Sequence, residues 1–383
     1  MAGALAVLAA LAVLTALTPG APAATLQVGP ALSLPQALRQ AVDGDEIDIP
    51  AGDYRGQVGV ILQQRLTLRG VGGRPVLHAD GRSAEGKAIL VVRNGVVRIE
   101  NLEFRGARVP DRNGAGIRFE GGRLEVLRCA FFDNENGILT APGEQAELSV
   151  EDSEFGAAPA GTPLPHLIYV GRIGRFTLRG SQVGGGQQGH LVKSRALRNH
   201  ILYNRLVDGP GGHAAYELEF PNGGLAWVVG NVIAQSAGTS NPAIVSFLAE
   251  GRSDEREQGL FMAHNTLVSE SLTPALFVVV RDGARVVEKQ FVNNLSVGLG
   301  LGELALADVT RGNFAIAGGL LRDPAAGDFG LGAHSLLRGR GVEPGMVHGE
   351  SLRLAAEFMP PAGTRPLAPS AAPARWSPGA VQD

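Results

Sequence analysis

The sequence predicts an all-β solenoid, a right-handed parallel β-helix closed at its amino-terminal end by one short capping helix. Three observations carry this prediction: a short motif recurring at the interval of one coil, a composition rich in glycine and poor in charge, and helical periodicity in one place only. The motif is Ile99-Glu100-Asn101-Leu102-Glu103-Phe104. Counterparts of its Asn stand at Arg128, Asp152, Gly180, Asn204, Asn231, Asn265 and Asn294, at intervals of 27, 24, 28, 24, 27, 34 and 29 residues. Two residues before this column and three residues after it, every position is apolar. Apolar residues alternating with mixed ones form a strand with one buried face. The parity changes across the polar column, so the chain bends there, where Asn tolerates left-handed backbone angles. Stacked Asn side chains would hydrogen-bond along the axis as a ladder.

The chain has 54 glycines in 383 residues, 5% aromatic and 19% charged residues, against roughly 25% charged in an average globular protein. That mixture suits many short strands joined by turns. A net charge of −3 lacks the basic footprint of a nucleic-acid binder, so no nucleic-acid partner is expected. Ala4 to Leu17 is apolar but for Thr15 and Ala21-Pro22-Ala23 supplies a small-x-small cleavage site, which predicts a signal peptide over 1–23 and a secreted or periplasmic mature chain. No other stretch is long enough for a transmembrane segment. Leu34 to Val42 is amphipathic and stands where a solenoid needs a cap. It leads through Gly44-Asp45 into a first coil strand, Glu46-Ile47-Asp48-Ile49. The β-helix domain is expected over 24–355, followed by a Pro/Ala-rich disordered tail over 356–383. The single cysteine, Cys129, reads as a small buried residue.

Two segments carry a resemblance. Asp43-Gly44-Asp45-Glu46-Ile47-Asp48-Ile49-Pro50-Ala51-Gly52-Asp53-Tyr54 resembles the opening coil of the pectate-lyase-like β-helix superfamily, and Asp323-Pro324-Ala325-Ala326-Gly327-Asp328-Phe329-Gly330-Leu331 resembles the closing segment of many members. The superfamily includes polysaccharide lyases, epimerases, glycosidases and non-enzymatic surface proteins, so the fold alone does not decide function.

The unusual polar run is His190-Leu191-Val192-Lys193-Ser194-Arg195, with Tyr203 after it and Tyr216-Glu217-Leu218-Glu219-Phe220-Pro221-Asn222 on the next coil. Lys193 is one of three lysines among 34 cationic residues. Tyr169 and Lys193 lie 11 residues before the polar column and Glu219 12 residues before it, on adjacent coils, which lets the three side chains stack about 4.8 Å apart. Strict alternation turns Glu217 and Glu219 outward together. The stripe is the kind of surface an anionic polysaccharide needs, and Lys193, Arg195, Tyr169 and His190 are the candidate catalytic residues. Glu219, Tyr203 and Asn222 are the candidate substrate contacts, and Glu217 with Glu219, with Asp208 or Glu250 nearby, the candidate ligands of a calcium ion. The Lys193-Ser194 pair is similar to the Lys-Ser of the alginate and chondroitin B lyase family. That likeness implies β-elimination on a uronate polymer with the lysine as base. A non-catalytic polysaccharide-binding or cell-envelope β-helix protein is the alternative, in which Lys193 and Glu219 form a plain ion pair between coils.

Overall fold

The computed structural model describes residues 23–161, 165–239, 241–251, 256–281, 287–302, 307–367 and 375–382. The expected signal peptide lies almost wholly outside the described residues. No helix among the described residues is long and apolar enough to cross a membrane.

Each coil contributes one short strand to each of three parallel sheets of 12, 11 and 10 strands, visited in that order. The helix Leu34–Gln40 caps the first coils. Gln36 Oε1 accepts the Ser33 backbone N–H at 2.9 Å, and Leu34, Ala37 and Leu38 bury against the solenoid end. The first full coil strand is Glu46–Pro50, as expected, and the shorter strand Thr25–Gln27 pairs with it.

Inside the coil, like residues stack on like. Phe104, Phe131 and Phe155 form a stack with centroids 4.9 and 4.5 Å apart, the offset ring geometry that aromatic pairs favour. At the turn between the first two sheets, the left-handed position is Asn101, Arg128, Asp152, Gly180, Tyr203, Gly230, His264 and Asn293, with φ between 48° and 68°. The residue that follows points inward and builds the ladder. Each of Asn204, Asn231, Asn265 and Asn294 donates its side-chain amide to the next Asn Oδ1 at 2.9 to 3.0 Å, ending on Asn313. Upstream the same column continues as Ser181, Ser153 and Cys129.

The predicted column therefore mixes two. Its first four members occupy the left-handed position and its last four the ladder position, because Arg179 pairs with Leu202 and not with Tyr203. A slip of one residue exchanges inner and outer faces. Ile201, Val228 and Met262 thus face the core, whereas Leu202, Val229 and Ala263 face outward.

Those outward residues are apolar because the carboxy-terminal segment covers them. Val347, Leu352, Leu354, Ala356 and Trp376 pack with Tyr203, Trp227, Val229 and Phe261 in a second apolar cluster. A third cluster seats Leu321, Phe329, Leu331 and Ala380 on Val232, Ala234, Val268 and Val297. The expected disordered tail is therefore corrected where it is described. Ala356–Phe358 pairs with Thr364–Pro366, and Trp376 sits 9% exposed against His264 at 5.0 Å. The apolar outer columns supply the burial that a Pro/Ala-rich composition by itself does not reveal.

Candidate functional site

The site is built on the outer face of the 10-stranded sheet, where parallel register sets Tyr169 beside Lys193 and Lys193 beside Glu219. Their strands are His166–Val170, His190–Ser194 and Tyr216–Phe220. Each strand breaks alternation at its second residue, so two successive side chains turn inward. Leu167-Ile168, Leu191-Val192 and Ile244-Val245 are such apolar doublets in the core. The first residue of each strand is freed to face outward, which brings His166 over His190 at 4.7 Å and the edge of Tyr216 onto His190 at 5.0 Å.

Lys193 Nζ lies 3.3 Å from Glu219 Oε2 and 2.9 Å from Glu250 Oε1. His190 Nδ1 approaches the same Glu219 oxygen at 3.1 Å. Arg195 forks onto Glu250 at 2.7 and 2.9 Å, donates from Nε to the Tyr169 hydroxyl at 3.2 Å, and donates to Asn222 Oδ1. Asn222 in turn donates to the Gly251 carbonyl at 3.2 Å, which fastens the segment bearing Glu250 to the coil below it. Ser194 faces inward, its hydroxyl bonded to Asn199 Oδ1, and takes no part in this surface.

Charge is closely matched here. The Arg195 hydrogen bond and then Lys193 outweigh burial and bring the Glu250 carboxyl down to about 2. Burial is the largest single influence on Glu219 and pushes it up, but His190 and Lys193 together overcome it and hold it below the ordinary carboxylate range. Burial, followed by the positive charges of His190, Lys193 and Arg195, drives His166 well below the usual histidine range. The neutral ring accepts the His190 backbone N–H at Nδ1, 3.1 Å away.

The structure thus brings together Tyr169, His190, Lys193, Arg195, Glu219 and Asn222. It does not bring Tyr203, which lies under the carboxy-terminal segment with Arg179 over its ring and its hydroxyl accepting the Ala355 N–H. Glu217 is also elsewhere. It occupies the inward doublet position between Leu191 and Ile244, is fully buried, and among the described residues neither carboxyl oxygen has a hydrogen-bond partner. Glu217 and Glu219 therefore point to opposite sides of the sheet and cannot share a cation. Among the described residues no group of three or more His, Cys, Asp or Glu is arranged to hold a metal ion. Glu250 is the principal member that sequence reasoning placed only loosely. It lies in the longest interval of the repeat, 34 residues, whose extra length was the available signal.

No family model matches the chain, and no curated protein matches it. Among solved structures, the crystal structure of pectate lyase Pel9A is similar over 95% of this chain and 97% of that one, with a TM-score of 0.54 and 13% sequence identity. The chain has the pectate-lyase-like right-handed β-helix fold. At that identity the likeness concerns the fold, and the chemistry of this β-helix has to be argued from its own surface.

Proposed function

We propose that the protein is an exported carbohydrate-active enzyme that binds a uronate-containing polysaccharide along the 10-stranded sheet and cleaves it by β-elimination. The observation that carries this reading is the stack of Tyr169, Lys193 and Glu219 on three successive coils, with Arg195 bridging Tyr169 to Glu250. The fold shared with a pectate lyase supports it.

Elimination needs the uronate carboxylate neutralised, the C5 proton removed and the C4 oxygen protonated as its bond to carbon breaks and the C4–C5 double bond forms. Arg195 presents a planar fork suited to a carboxylate. Glu250, 45% exposed in its side chain, occupies that fork in the free protein and is the group a substrate carboxylate would replace. Lys193 is assigned as the base. Tyr169 accepts from Arg195, which leaves its own proton free for the departing oxygen. His190 holds Glu219, and Asn222 positions Arg195.

Lys193→Ala should abolish product formation while moving the melting temperature by no more than about 2 °C. Lys193→Arg should be equally inactive, because a guanidinium does not give up its proton. An active Arg variant would reassign Lys193 to charge neutralisation. A second reading, a non-catalytic polysaccharide-binding protein using the same face, is favoured by the pairing of every charge in the cluster. In that case both variants weaken binding and neither parent nor variant forms product.

A further inference from the structure

Arg205 stands on the outer face of the 11-stranded sheet, next to Gln182 and Val232 in register, away from the cluster around Lys193. It is half-buried, yet among the described residues its guanidinium has no ion pair and no hydrogen bond, and its Nε is buried without a partner. Its guanidinium carbon lies 5.4 Å from the centre of the Phe329 ring. Gly327, at φ +82°, makes room for it; an added Cβ there would collide with the guanidinium. Nearby Arg322 and Arg365 are answered by Asp328 and Glu357. Arg205 is not.

Two clefts, of about 470 and 320 Å³, are both lined by Arg205. The larger runs between the sheet and the closing segment. Its floor passes from Phe132 over Gly156 and Gly184 to Val207, and Phe329 forms part of its wall. The volume lies in the range of pockets that take small organic ligands. A desolvated cation with no counter-charge is costly, and a guanidinium fork is complementary to a carboxylate. Two acids, Asp208 and Glu270, also line this cleft; Asp208 is buried and accepts the Gly186 and Ala214 backbone N–H groups, and neither acid makes an ion pair with Arg205 among the described residues.

We infer that this cleft is a second, non-catalytic binding site for an acidic oligosaccharide, with a sugar carboxylate on Arg205 and apolar ring faces on the Phe132–Val207 floor. The inference does not depend on elimination at Lys193. Calorimetric titration with uronate trimers tests it, using the parent, Arg205→Met, Arg205→Lys and Lys193→Ala. The parent should show two classes of site. Arg205→Met should lose one of them by at least tenfold in affinity and keep its unliganded melting temperature, since a methionine fits the apolar surroundings. Arg205→Lys keeps charge without the fork and should show the same loss, which covers the case of a Met variant that does not fold. Lys193→Ala should retain the Arg205-dependent class whether or not Lys193 is catalytic. Parent-like binding by Arg205→Met or Arg205→Lys would overturn the inference, as would equal binding of neutral trimers or of inorganic sulfate.

Discussion

Glu217 places a carboxyl group in the core at a position where the neighbouring coils carry Leu191 and Ile244. Burial, and then the negative charge of Asp208, push it well above the ordinary glutamate range. The folded chain therefore keeps a proton that the unfolded chain releases, so stability is present at acid pH and lost as pH rises above about 4.3. Glu217→Leu should remove that penalty and restore the apolar doublet. Its melting temperature should exceed the parent's at pH 8 by several degrees, for a gain of about 1 kcal/mol or more, and the gap should narrow at pH 5. Thermal denaturation at the two pH values checks this. Glu250 gives the complementary case on the outer face. Removing its carboxylate from the Arg195 fork should lower the KM or Kd for a uronate polymer in Glu250→Ala, and leave the affinity for neutral polymers unchanged.

Among the elements, the turn between the first two sheets carries most of the specification. Asn265 is buried, donates to Asn294 Oδ1 and to the Val228 carbonyl, and accepts from Asn231. Asn265→Ala should destabilise the fold by about 1–3 kcal/mol by leaving these partners unmet. Ile201→Asp should cost more than Leu202→Asp, because only Ile201 faces the core. Comparing the midpoints of denaturant unfolding decides both. The sequence revealed the repeat, the capping helix and the stacking of Tyr169, Lys193 and Glu219, since these follow from spacing. It misled at Asn204, where the ladder Asn sits one residue beyond the left-handed position that Asn101 occupies, and the apolar outer column gave no parity signal to correct the slip. It misled again at Glu217, because alternation fails at the strand bend. The apolar doublets Leu167-Ile168 and Leu191-Val192 were the legible sign of that bend.

For the whole molecule, the solenoid is complete only with its carboxy-terminal segment in place. Trp227 and Phe261 lie on the outer face of the 12-stranded sheet and are buried by Val347, Leu352, Leu354, Ala356 and Trp376. His200, stacked on Trp227 at 4.9 Å, is pinned by Glu350 at 2.7 Å. A chain ending at Gly341 should expose this apolar strip, bind a hydrophobic dye and aggregate at concentrations where the full chain stays monodisperse. Unchanged dye binding and solubility would show that the covering contributes nothing. The same sheets that need this cover on two faces leave the third face to Tyr169, Lys193, Arg195 and Glu219. The most direct test of the central claim is incubation of the full chain with a panel of uronate polymers, read by the ultraviolet absorbance of unsaturated chain ends. The account predicts absorbance rising with at least one acidic polymer for the parent and none for Lys193→Ala. Tight binding of such a polymer by the parent with no unsaturated product would contradict β-elimination.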